Sequence, residues 1–452
     1  MTSGPSYSLR NRSGPKQRAV NLIPVPVEAG NEANRSAFKD MPGLVLFADL
    51  GSEIRGGINS NGRVLVATGS SLLELASDGA TTNRGSIGGG STWIDFAANA
   101  TQICFTDSSS LYVLNRSTNA LTTTADYPGG PRIDVLNEFL FMVDDTSGRV
   151  WWADVGDATN IDGLSFATAE SAPDNLTACI VSNEELLLIG KSTIEPWRVV
   201  GGDEVIAKTG RVIEIGSASP YSVRRLDNSV FFVGSSEQYG QGVVYRLNGY
   251  TPQRISTRAE EEKLSGLDLS GAYAFSFLFE GDSFYALQVP GLDATLCFNL
   301  LSGMWFEAAE LVNGDYAKWR ANVHVPAFDK NLVGDEDGKL YYMSATTSNN
   351  DGDALCRSRL MPVIEAQQGK RLIHSKLQCT CDTGAGGTMM VRWSDDNGQN
   401  FGSWEYISMG EIGEFETRVQ LHRLGSADRR IYELRVTDNV PWNPSDIKVT
   451  AR

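Results

Sequence analysis

A short strand, a turn of Gly, Ser, Asp or Asn, and a second short strand recur along this chain, and the repeat constrains its fold more than any other feature. The unit spans residues 63–67 with 72–75, 102–105 with 111–114, and 139–143 with 150–153. It returns at 186–189 with 194–199, 230–233 with 243–247, 284–289 with 295–299, and 332–333 with 340–343, and residues 305–307 extend the sixth copy. Onsets lie about 40 to 50 residues apart, the period of a four-stranded propeller blade. One such hairpin has apolar faces that it cannot bury alone. Stacking the copies around an axis buries both faces of each and leaves only short edges. The expectation is an all-β chain built on a β-propeller of about seven blades, with a pair of sandwiches as the competing architecture.

The flanks read differently. Residues 1–18 hold Arg10, Arg12, Lys16 and Arg18 and no acid, among Ser, Gly, Pro and Asn, so little there can be buried. They are expected to form a flexible arm, either a solvated tail or a basic segment that docks on a neighbouring subunit or on DNA. Residues 19–26 (AVNLIPVP) are apolar but broken by two prolines, which suits an extended edge segment. Thr257 and Glu260 make a capping-box pattern, which predicts a short surface helix over 259–264. The polar stretch 344–370, with SATTSNNDGD, marks a domain boundary. Beyond it, alternating strands at 372–381, 388–393, 417–422 and 430–436 predict a β-sandwich-like C-terminal module. The expected divisions are an extended N-terminal arm over 1–44, a β-propeller over 45–365 and the C-terminal β module over 366–452.

Composition supports a turn-rich β protein, with 46 Gly against 3 His and 9 Met. The 39 basic and 55 acidic side chains give a net charge of −16. That excludes a protein that clamps nucleic acid over its whole surface, while leaving room for a local basic patch. No run approaches the ~18 apolar residues of a membrane span. The segment MTSGPSYSLRNRSGPKQR has no apolar h-region, so no secretory signal is expected. Six cysteines spread thinly through a long chain read as reduced thiols of a protein made in the cytoplasm.

Catalytic raw material is scarce. His324, His374 and His422 are far apart in sequence, and neither HExxH nor GxSxG occurs. Gly190-Lys191-Ser192 imitates the end of a P-loop, but Glu185 stands where the first glycine is required, so the segment reads as a hairpin turn. Cys379 and Cys381 would share a strand face with Leu377 and, lacking a second cysteine pair nearby, read as buried small residues. The acidic turns 335–338 and 351–353 lack the alternating oxygen ligands of a calcium loop and read as solvated turns. Ser394, Asp396, Gly398 and Phe401 resemble the Asp-box of sialidases and related propellers, S-x-D-x-G-x-x-W/F. There Asp396 can accept N–H bonds within the turn, Gly398 permits a positive φ, and Phe401 packs under the hairpin. A single copy signals a stable turn. No catalytic residue, metal site or cofactor is expected.

Five stretches stand in order across almost the whole chain. They are VNLIP (20–24); PGL (42–44) with LFA (46–48); GKSTIEPW (190–197); PYSVRRLDNSVFFVG (220–234) running into VVYRLNGYTPQRIST (243–257); and RWSDDNGQNFG (392–402) with GEIGEFETRVQLHRLG (410–425). Together they resemble the packaged-DNA stabilisation proteins of short-tailed bacteriophages, which form the tail hub or nozzle. The stretch before Pro220 and the acidic AEEEKL after Thr257 depart from the family pattern. The resemblance implies a non-enzymatic structural protein of the virion tail, assembled in the host cytoplasm. Its copies would form a homo-oligomeric ring, a hexamer, that extends the portal channel below the portal and adaptor proteins and retains the packaged DNA. The ring would also attach the tail needle or plug and receptor-binding spikes or fibres. DNA would pass through without sequence-specific binding, and the negative balance fits a wall that repels phosphate. Arg10, Arg12, Lys16 and Arg18 then become a partner-docking arm. Two other classes stay open, a propeller glycoside hydrolase or lyase with a single Asp-box, and a host-cell-binding propeller.

Overall fold

A computed structural model of the chain describes residues 7–8, 16–26, 36–169, 174–201, 204–236, 240–367 and 370–452. Among these residues, seven antiparallel blades follow one another in sequence order, and Val323–Ala327 of the seventh lies against Ile54–Ser60 of the first, so the ring closes. The expected hairpins are the central strands of the blades, from Arg63–Thr68 with Ser71–Leu75 in the first to Lys330–Gly334 with Lys339–Ser344 in the seventh. Their continuous apolar runs follow from the architecture. In Arg63–Thr68, Val64 and Val66 face the seventh blade, while Leu65 and Ala67 face the second. Successive side chains of a strand point to opposite faces, and here both faces are interfaces. Each interface has its own buried cluster, and burying one Leu or Val in it contributes roughly 1.5–3 kcal/mol. At the closure Gly57 allows close approach, since a Cβ there would lie 2.7 Å from Val325.

The seventh blade takes its fourth strand from the other end of the chain, with Gly43–Asp49 pairing antiparallel to Lys339–Ser344. Side chains from blades that are not neighbours meet across the axis. Trp93, leading into the second blade, stacks on Tyr273 of the sixth at 3.8 Å, and Ser108 bonds Tyr221 at 2.9 Å. The axis is therefore bridged by side chains.

The segment expected to be an arm is instead built into the fold from residue 16 onward. Lys16–Val20 pairs with Arg357–Leu360 on one side, and on the other Val20 pairs with Glu307 of the sixth blade. Leu22–Pro26 and Ser36–Asp40 form a hairpin whose Leu22, Ile23 and Phe38 are buried. Tyr7–Ser8 pairs with Lys16–Gln17, so a two-residue strand replaces part of the expected tail. Alternating apolar residues after Arg18 have a partner face that local sequence does not disclose.

The C-terminal module begins before residue 366. Arg357–Leu360 pairs with Arg429–Val436, and that strand with Thr388–Ser394 and Glu405–Ser408 in turn. The facing sheet holds Val419–His422, Leu372–Thr380 and Asp446–Ala451. Leu377, Cys379, Val419 and Ile447 pack against Met389, Val391, Tyr432 and Leu434 between them. One sheet thus runs from the sixth blade through Lys16–Val20 into the sandwich. The helix is Arg258–Leu264 with its capping box formed, but Ala259, Glu260 and Leu264 are buried, so it is inset into the surface. Asp335 also departs from a solvated turn: it is buried and accepts from the Asp337 and Lys339 amides and the Tyr341 hydroxyl.

Candidate functional site at the propeller–sandwich junction

The strand Lys16–Val20 sets Arg18 between the domains. Its Nε donates to Glu307 Oε2 at 2.6 Å and its Nη2 to Asp293 at 3.2 Å, while Lys263 Nζ donates to Glu307 Oε1 at 2.6 Å. Burial pushes the Glu307 pKa up, but Lys263 and Arg18 outweigh it and hold the carboxyl below its usual range. Arg18 is thus a structural cation of its own chain, and removing it would leave Glu307 with one cation fewer.

From Arg18 an alternating series of cations and rings crosses the junction. The Arg18 guanidinium lies 4.6 Å from the Tyr316 ring centre, and Arg435 lies 5.6 Å from Tyr316 and 4.8 Å from Trp404. Arg392 then sits 4.3 Å from Trp404 and 4.6 Å from Phe401. Buried Glu433 accepts from Arg392 Nε at 2.7 Å, Arg435 Nη2 at 3.0 Å and Ser358 Oγ at 3.1 Å. Arg18, Tyr316, Arg392, Phe401 and Arg435 line a cleft of about 480 Å³. The structure therefore brings together two residues singled out separately in the sequence, Arg18 of the arm and Phe401 of the Asp-box. Arg10 and Arg12 lie outside the described residues, and Lys16 is placed only by its backbone.

The Asp-box turn is fully formed. Ser394 Oγ donates to Asp396 Oδ1 at 2.6 Å and accepts from the Gly398 amide at 2.8 Å. Asp396 Oδ1 accepts from the Gln399 and Asn400 amides, each at 2.9 Å, and Gly398 takes φ 80°. The Asn400 amide and then the Ser394 hydroxyl hold the Asp396 carboxyl well below the usual range. Phe401 is half-buried under Arg392. Neighbouring Asp395 grips Arg430 with both oxygens, at 2.6 and 2.7 Å. Both carboxylates are thus committed to holding backbone or cation in place.

Two further knots escaped the sequence reading. Asn21 is fully buried at φ 52°, its Nδ2 donating to the Ala309 and Cys356 carbonyls and its Oδ1 accepting from the Ala309 amide. Fully buried Arg357 donates to Asp40 Oδ2 at 2.8 Å and to the Val440 and Asp438 carbonyls. The only sequence signal for Asn21 was a polar residue flanked by apolar ones, and Arg357, in RSRL, carried none. The histidines stay apart: His324 bonds Asn331 and is pushed down to about 4 by burial, His374 bonds Tyr432, and His422 is exposed. Among the described residues no three His, Cys, Asp or Glu side chains converge to hold a metal.

A seven-bladed propeller and a sandwich sewn together by one strand define a structural building block, with its buried charges spent on internal geometry. Residues 11–348 match the β-propeller domain of bacteriophage P22 Gp10, and residues 357–452 match its β-sandwich domain. The chain belongs to this family of phage tail structural proteins that stabilise packaged DNA. The second match begins at Arg357, where the sandwich begins in the structure. A comparison with curated proteins gives no match. Among solved structures, the computationally designed Ika8 protein is 13% identical with a TM-score of 0.40, over 66% of this chain and 99% of that one. The extracellular domain of BT4673 from B. thetaiotaomicron is 8% identical with a TM-score of 0.46, over 77% and 45%. The Pan2 WD40 domain from Neurospora crassa is 8% identical with a TM-score of 0.42, over 67% and 95%.

Proposed function

We propose that the protein is the subunit of a tail hub or nozzle: a homo-hexameric ring, assembled in the host cytoplasm, that extends the channel below portal and adaptor and retains the packaged genome. The same ring attaches the needle or plug and the spikes or fibres. The reading is carried by the match of both domains to bacteriophage P22 Gp10, in a chain whose two domains share one sheet. Such a block transmits load without a hinge. Because each propeller axis is bridged by Trp93, Tyr273, Ser108 and Tyr221, the DNA channel lies between copies. The net charge of −16 favours sliding over adhesion, since phosphate contacts to Lys and Arg would hold DNA. Arg10, Arg12 and Lys16 dock on acidic surface of a neighbouring ring component. The ring is not an enzyme: Asp396 serves the turn, and Asp395 serves the pair with Arg430.

The test adds purified protein to DNA-filled heads bearing portal and adaptor and scores bound protein and retained genome. Binding with improved retention is expected. Heads that keep their DNA equally well without the protein would sink the reading. An oligosaccharide screen covers the enzymatic alternative: turnover abolished by Asp396→Ala, with the fold intact, would replace it.

A further inference from the structure

The sandwich carries a rigid acidic and apolar tip. Ile412 is 87% exposed and Phe415 is 77% exposed, three residues apart in the loop that follows Glu405–Ser408. Large side chains this exposed are usually loosely held, yet here the backbone fixes them. The Gly413 amide donates to the Gly384 carbonyl at 2.9 Å, Ile412 bridges Ala385, and the Glu411 amide donates to the Glu414 carboxylate at 2.9 Å. The Phe415 ring lies directly on the backbone of Gly384, where φ is +102° and a Cβ would stand 2.5 Å from the ring. Glu411, Glu414 and Glu416 flank the two apolar residues in sequence, all three are exposed, and no basic residue lies between 410 and 417. Preorganised apolar anchors inside a charged rim are the arrangement of a protein-docking hot spot.

The complement is present in the same sequence. Residues 1–16 carry Arg10, Arg12 and Lys16 without a single acid, beside Tyr7 and Leu9, in a chain that is otherwise strongly negative. Within one molecule the strand that follows the basic segment is separated from the strand that precedes the tip. Lys16–Val20 and Glu405–Ser408 are four strand spacings apart in one sheet, about 19 Å. Two different, complementary surfaces on one block make head-to-tail contacts between copies, which close into a ring when the rotation between copies closes.

We infer that the tip around Ile412 and Phe415 docks on the N-terminal basic segment of a second copy. This rests on the ring reading above and names the contact that builds it.

The test replaces Phe415 by the photo-cross-linker p-benzoylphenylalanine in the full chain and maps adducts after irradiation, while sedimentation reports the assembled species. Two charge-reversed chains, E411K/E414K/E416K and R10E/R12E/K16E, are compared alone and combined in one chain, each with its melting temperature checked. Adducts on residues 1–18 of another copy are expected. Each reversal should weaken association by about tenfold or more, and the combined chain should recover it. Ile412→Ser, which leaves the charges intact, should also weaken association. Rings whose adducts lie elsewhere, or a combined chain no better than either reversal, would overturn the docking and leave the ring standing. Adducts on residues 1–18 in a species that never closes would keep the docking and overturn the ring.

Discussion

Arg357 has no exposed surface, and its guanidinium gathers two distant segments: Asp40 of the N-terminal hairpin and the Val440 and Asp438 carbonyls of the sandwich. Arg357→Met removes one partner of a buried pair and leaves Asp40 with the desolvation cost, so a loss of roughly 3–5 kcal/mol in urea unfolding is expected. A loss below about 1 kcal/mol, the size of an exposed pair, would show that the knot is not holding the domains. Asp40 adds a pH dependence. Burial pushes its pKa up to about 6, against the pull of Arg357 and the Trp442 amide. A carboxyl with a raised folded pKa favours the folded state while protonated, and that contribution is lost as pH rises from about 4 to 6. Asp40→Asn keeps an acceptor for the Trp442 amide and removes the titration. The fall of urea midpoint across that window should therefore become shallower, and an unchanged slope would exclude Asp40 as its source. Neither residue was legible in the sequence. Arg357 and Arg359 make RSRL read as a polar linker, yet both are fully buried, Arg359 against the Phe38 ring at 4.7 Å. A buried arginine looks like a surface one until its partner, hundreds of positions away, is known.

At the scale of elements, legibility follows burial. The central hairpin of each blade was readable because both its faces are covered, which forces apolar runs such as LLLIG at 186–190. Outer strands such as Thr81–Ser86 are mostly exposed and polar, so they merge with the turns around them. The Asp-box was readable because its chemistry is local. The bonds made by the Ser394 and Asp396 side chains all lie between residues 394 and 400. Ser394→Ala removes the acceptor of the Gly398 amide and the donor to Asp396, and is expected to cost about 1 kcal/mol. A thermal scan of the variant gives the answer. A melt unchanged from wild type would mean that the turn is held by Phe401 and Arg392 instead. Lys16–Val20 was missed as an element for the opposite reason. Its pairing partners, Arg357–Leu360 and Glu307, are set wholly by tertiary structure.

For the whole molecule the question is whether two domains mean two folding units. The polar stretch 344–370 looks like a linker, but it is pinned along its length. Asn350 pairs with Leu44, the Gly43 amide donates to the Thr347 carbonyl, and Arg357–Leu360 is already sandwich. One buried cluster also spans the division, joining Phe275, Phe284 and Tyr341 of the sixth and seventh blades to Leu377, Tyr432 and Trp442 of the sandwich through Leu22 and Phe38. Separating the domains would expose that cluster and break the sheet at Lys16–Val20 together. A protease site placed in the exposed turn at Asp351 and Gly352 is therefore expected to be cut without releasing either part. The fragments should co-elute in gel filtration and melt in one calorimetric transition near that of the intact chain, because the cut removes no side-chain packing. Two folded fragments that elute apart, or two resolved transitions, would show independent domains, and the rigid block on which the ring reading depends would be lost.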